Sequence, residues 1–130
     1  MATIKQFEDI EAWKIARELC HKLGVLIDTG SFKTSFKLIA QMEASSGSIM
    51  DNIAEGFERG TRGEFIQFLG YAKGSCGELR SQLYRSLDRN FITQSDFEML
   101  HVMSSQTSGK IQNLINYLNK TDVEGIRKKR

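Results

Sequence analysis

From Phe65 to Leu87, apolar side chains return at steps of three and four residues: Phe65, Phe68, Leu69, Ala72, Cys76, Leu79, Leu83 and Leu87. That spacing places them along one side of an α-helix, a side that other helices must cover. Three further segments carry the same pattern. Ala12, Trp13, Ala16, Leu19, Cys20, Leu23 and Ile27 form one stripe, and Ile39, Met42, Ile49, Ile53 and Phe57 a second. Phe97, Leu100, Met103, Thr107, Ile111, Leu114 and Leu118 form a third. No proline interrupts any of them, so no helix need break for want of a backbone donor. The 130 residues suffice for one domain with a real core and are too few for two.

Cap and turn residues separate the stripes. Asp9 reads as the N-cap of a first helix that runs to about residue 28, where Thr29-Gly30-Ser31 breaks it. A second helix spans about 34–59 and stops at Gly60 in the manner of a C-terminal glycine. Thr61-Arg62-Gly63-Glu64 is a capping box opening a third helix over 62–90, and Thr93-Gln94-Ser95-Asp96 opens a fourth over 94–119. Connections this short cannot cross a bundle. The expected fold is all-α, a single antiparallel up-down-up-down four-helix bundle over residues 1–119, followed by a basic flexible tail over 120–130.

The charge is divided unevenly. Residues 1–119 hold 13 Lys and Arg against 14 Asp and Glu, a net −1, while residues 120–130 hold five against two, a net +3. Nucleic-acid-binding domains usually advertise a basic face, and by count alone this body does not. Met1 to Gln6 contain no apolar h-region, and no apolar run approaches membrane length, so neither a signal peptide nor a membrane span is expected. Cys20 and Cys76 both fall on apolar stripes and read as core thiols, which fits a cytoplasmic location.

The one metal-like pattern fails on geometry. Glu18-Leu19-Cys20-His21 and Glu98-Met99-Leu100-His101 are two Glu-x-x-His motifs on different helices, with Glu55 and Glu78 on the other two, the inventory of a carboxylate di-iron bundle. At about 100° per residue, however, Glu18 and His21 lie about 150° from the centre of their stripe, and Glu98 and His101 about 170° and 110° from theirs. They point outward, so no metal and no cofactor is expected. With no Gly-rich phosphate loop, paired cysteines or nucleophile–base grouping, the chain reads as a non-enzyme. Gly70-x-x-x-Gly74 matches a membrane packing motif, but Lys73, Glu78 and Arg80 exclude a span.

Two helix faces remain unassigned. Gly70, Gly74, Gly77 and Ser81 fall opposite the apolar stripe of the third helix. Each interior glycine costs about 1 kcal/mol relative to alanine. On the second helix Gln41, Ser45, Ser48, Asn52, Glu55 and Arg59 recur at steps of four and three. One interpretation is a solvated flank with Glu55 and Arg59 as an ion pair. The other is a close-packed, hydrogen-bonded contact between protomers, with Gly70, Gly74, Gly77, Ser81, Gln41, Ser45, Ser48 and Asn52 as its residues.

These same residues carry a resemblance. Phe7-Glu8-Asp9-Ile10 followed by Trp13-Lys14 resembles the entry to the family of small four-helix proteins encoded within intervening sequences of bacterial 23S ribosomal RNA genes, the S23-type family. Ser48-Ile49, then Asn52-Ile53-Ala54-Glu55-Gly56 and Arg59, then Glu64-Phe65, Phe68-Leu69, Ala72, Gly74-Ser75 and Glu78-Leu79, are similar to its central signature. Its residues here are Asn52, Glu55, Gly56, Arg59, Gly74, Ser75 and Glu78. The family is in turn similar to the accessory variability protein of diversity-generating retroelements, a pentameric four-helix subunit associated with a reverse transcriptase and RNA. The resemblance therefore implies a homo-oligomer, a pentamer, with RNA or DNA and a reverse transcriptase or another protein as partners. The chain departs from the family pattern at Glu43-Ala44, where basic residues are usual, and at Met50, where proline is usual.

Two classes of function follow. One is an oligomeric accessory protein with weak, sequence-independent RNA or DNA association, through Lys14, Arg17, Lys22, Arg80, Arg85, Arg89, Arg127, Lys128, Lys129 and Arg130. The other is a protein–protein scaffold that never touches nucleic acid.

Overall fold

A computed structural model describes residues 4–30 and 35–121. A 3₁₀ turn, Phe7–Asp9, precedes four helices: α1 (Glu11–Asp28), α2 (Phe36–Glu58), α3 (Arg62–Asp88) and α4 (Gln94–Thr121). No strand occurs among the described residues. Around the bundle, α1 packs on α2 and α4, and α3 packs on the same two helices, with the α2–α3 pairing the most extensive. This is the all-α four-helix bundle expected from the four stripes.

The helix starts show where local chemistry differs from simple pattern. Asp9 does not cap α1. Its carboxylate accepts from the backbone N–H of Lys5 (3.1 Å) and Gln6 (3.3 Å), closing the short turn instead. Ile10, with extended backbone, is the N-cap, and its own side chain is buried in the core. A carboxylate satisfies whichever free N–H groups are nearest, and here those lie before it. Helix α2 begins two residues later than expected, with Ser35 accepting from Leu38 N–H at 3.3 Å. The expected first residue, Thr34, lies outside the described residues.

At the α2–α3 turn, Gly60 adopts φ +84°, a left-handed conformation that only glycine takes without strain. Thr61 then caps α3, accepting from Glu64 N–H. The carboxylate of Glu64 returns to the Thr61 hydroxyl at 2.9 Å rather than to its backbone N–H, a variant of the expected box. Thr61→Ala is expected to destabilise the protein by about 1 kcal/mol, the usual worth of such a cap, measured by urea unfolding. Helix α3 ends two residues early because Asn90 turns to φ 61°. Thr93 caps α4 by accepting from Asp96 N–H at 3.0 Å.

The core is built from the stripes. Leu19, Leu23, Leu38, Met42, Ile49, Ile53, Leu69, Leu79, Leu83, Leu100 and Ile111 are fully buried. Six polar residues are buried with them: Ser45, Ser46, Gln82, Ser86, Ser104 and Thr107. Three of the six hydrogen-bond within their own helix, since buried hydroxyls need a partner. Ser46 donates to Glu43 C=O, Ser86 to Gln82 C=O, and Thr107 to Met103 C=O. Ser104 instead crosses from α4 to donate to the Cys76 carbonyl of α3 at 3.1 Å. Gln82 is the exception, its Oε1 unpaired among the described residues.

Candidate functional site

The seam between α2 and α3 gathers most of the residues singled out above. At one end Arg85 donates to Gln41 Oε1 at 2.9 Å. Next, Ser45 donates to Glu78 at 3.2 Å, and Ser75 to Ser48 at 3.0 Å, while Asn52 donates to both the hydroxyl and the carbonyl of Ser48 at 2.8 Å. At the far end Arg59 pairs with Glu55 at 2.9 Å and Glu64 at 3.4 Å, and lies over the Phe68 ring. As α2 advances from Gln41 to Arg59, its partners on α3 retreat from Arg85 to Glu64, which is the antiparallel register made visible.

Gly56 explains how the two helices come so close. It is buried, and a Cβ there would sit 2.5 Å from Phe68 Cβ and 3.4 Å from the Phe65 ring and carbonyl. No side chain fits. The glycine-dependent approach inside the protomer is therefore at Gly56, one of the signature residues. The glycines of α3 behave differently. A Cβ on Gly70 or Gly74 would meet nothing within 4 Å, and one on Gly77 only the Arg80 guanidinium at 3.8 Å. They line an outward surface, with exposed Ser81 beyond them.

On α2 the outcome is divided. Gln41, Glu55 and Arg59 are exposed, Ser48 and Asn52 are half-buried, and Ser45 is only 3% exposed. So Ser45 belongs with the core edge rather than with a solvated flank. Helical spacing carries the signal that finds it and Gly56, since Leu38, Met42, Ser45, Ile49, Ile53 and Gly56 form one unbroken series at steps of three and four.

Between Gln41 and Glu78 the seam opens into a groove of about 560 Å³, lined by Gln41, Ala44, Ser45, Ser48, Glu78, Ser81, Gln82 and Arg85. Its volume lies within the range of small-molecule pockets, but it is an open groove rather than an enclosed cavity. Gln82 is 6% exposed, and its Oε1 has no hydrogen-bonding partner among the described residues. A buried, unpaired amide oxygen costs about 1–3 kcal/mol.

The basic candidates do not converge. Lys14 and Lys22 pair with Glu11 (3.8 Å) and Glu18 (3.5 Å) on their own helix, and Arg17 lies over the Trp13 ring. Arg85 and Arg80, five residues apart, stand about 140° apart around α3. Arg85 is engaged with Gln41, while Arg80 is half-buried with its Nη1 unpartnered. Arg89 covers the Phe91 ring. Arg127, Lys128, Lys129 and Arg130 lie outside the described residues.

His21 is exposed on α1, and half-buried His101 rests against Tyr84 and Phe97. No group of three or more His, Cys, Asp or Glu able to hold a metal ion occurs among the described residues. Both thiols are free. Burial pushes Cys76 up to about 11, and burial also raises half-buried Cys20, so neither is poised as a thiolate nucleophile near neutral pH. No helix of the described residues is long and apolar enough to cross a membrane.

The protein is similar to a protein of unknown function from the S23 ribosomal protein family of Bacteroides thetaiotaomicron VPI-5482. The two share 20% identity and a TM-score of 0.74 over 80% of this chain and 97% of that one, a likeness in fold. No curated protein matches the chain. The model of the 23S rRNA-intervening sequence protein family matches residues 8–113, from just before α1 into the second half of α4, and the chain belongs to that family.

Proposed function

We propose that this protein is a non-enzymatic subunit of a homo-oligomeric ring, in which the outer face of α3 packs against a neighbouring copy. One observation carries this reading: Gly70 and Gly74 stand in the middle of a long helix with open space where a side chain would be. Each costs about 1 kcal/mol of helix stability relative to alanine, and nothing among the described residues requires either to lack a Cβ. An adjacent backbone in an assembly would. What suggests five copies and a role beside a nucleic-acid enzyme is the resemblance, read from the sequence, of the family to the pentameric accessory variability protein of diversity-generating retroelements.

The geometry favours the scaffold form of this reading over direct nucleic-acid binding. Lys14, Lys22 and Arg85 are engaged within the protomer, and the arginines of α3 are spread around the helix. Phosphate neutralisation needs clustered, available cations.

Light scattering tests the ring. The wild type is expected at a mass several times the 14.8 kDa protomer. Gly74→Leu is expected to fall to the monomer with its helix content intact, because the monomer has room for the side chain and the packed neighbour does not. A monomeric wild type would remove the proposal; an intact Gly74→Leu ring would move the contact to another face.

A further inference from the structure

Resting on the ring reading, a second surface of the protomer matches the groove between α2 and α3. From Met99 to Asn119, α4 carries Lys110 and no other Lys, Arg, Asp or Glu. Charged residues make up 26% of the chain as a whole, so this depletion is local, and it is typical of the buried part of an interface. Gln106, Lys110, Asn113 and Tyr117 recur there at steps of four, three and four, and all four are exposed. They form a row of two amides, an ammonium and a phenol, every one a hydrogen-bond donor. The groove presents the opposite need. Among the described residues Gln82 Oε1 is buried and without a donor, and the Glu78 carboxylate beside it receives the Ser45 hydroxyl alone.

We infer that the groove lined by Ser45, Glu78, Ser81 and Gln82 receives α4 of a second copy, with the amides and Lys110 of that helix supplying the donors that Gln82 and Glu78 lack. The groove also carries Arg85, which is turned to Gln41 Oε1 at 2.9 Å, so the match in charge is the local one between Lys110 of the α4 row and the Glu78 carboxylate. The groove lies on α2 and α3 and the row on α4. Donor and acceptor surfaces are thus different parts of the protomer, and such a head-to-tail contact generates a ring when its rotation closes.

The experiment mixes two face-blocked variants. Ser81→Arg fills the groove and Asn113→Arg disrupts the α4 row; both positions are exposed, so circular dichroism should show each variant as helical as the wild type. Each alone is expected to be monomeric by light scattering. An equimolar mixture is expected to form a dimer of twice 14.8 kDa, because the groove variant still offers its α4 to the intact groove of the other. A mixture that stays monomeric would overturn the pairing of the two faces. Wild-type mass in Asn113→Arg or in Ser81→Arg would overturn the surface concerned while leaving the ring standing. A monomeric wild type would overturn the ring reading itself.

Discussion

Gly56→Val is expected to destabilise the protein by about 3 kcal/mol, the upper range for overpacking a filled interior. A Cβ alone would stand 2.5 Å from Phe68 Cβ, and Phe68 Cβ is tied to the α3 backbone, so the neighbour cannot swing aside. The helices would have to part. Parting would stretch the hydrogen bonds that cross the seam nearby, from Ser75 to Ser48 and from Arg59 to Glu64. Urea unfolding followed by circular dichroism, at one fixed protein concentration, measures the loss. Gly70→Ala provides the contrast. On the Gly74→Leu background, expected to be monomeric, alanine there should be neutral or stabilising by up to about 1 kcal/mol. A Gly56→Val protein as stable as the wild type would show that α2 and α3 separate freely and that the signature glycine has some other purpose.

Leu79→Ala is expected to cost a similar amount, about 3 kcal/mol, within the range of large-to-small core substitutions. Leu79 is 0% exposed and faces the bundle axis from the middle of α3. Its truncation leaves a cavity among side chains contributed by several helices, and a four-helix core cannot collapse around a missing isobutyl group without moving a backbone. The same unfolding measurement applies. A loss under about 1 kcal/mol would mean that the core at this level is loosely packed, contrary to the run of fully buried residues around it.

Much of the architecture was readable from spacing. The stripes named their helices because an apolar side chain every three or four residues has one low-energy arrangement in water, a helix with that side covered. The third helix shows this well, since Phe65, Leu69, Ala72, Cys76, Leu79 and Leu83 are all buried as the pattern requires. Caps were less secure. Thr61 and Thr93 cap as expected, while Asp9 closes the turn before its helix, because a side-chain acceptor serves any donor within reach. The polar interior was harder still. Ser45 and Gly56 continue the buried series of α2 at helical spacing, but their chemistry disguises a spacing that an isoleucine would have advertised. Gln82 gave no local signal. Its burial follows from how α2 lies against α3.

The sequence by itself determined the number of helices, their order, their inward faces and the neutrality of the body, since each depends on residues close along the chain. The tertiary structure alone decided which small residues are small for a reason inside the protomer. Gly56, Gly70 and Gly74 are all helical glycines, and spacing already sets Gly56 in line with an apolar series and Gly70 and Gly74 opposite one. Only the register between α2 and α3, fixed by pairs such as Ser48 with Ser75 and Gln41 with Arg85 that lie 27 and 44 residues apart, brings a phenylalanine against the first. Glycine marks where a side chain is missing. What occupies the vacated space depends on distant parts of the chain, and they meet only in the folded bundle.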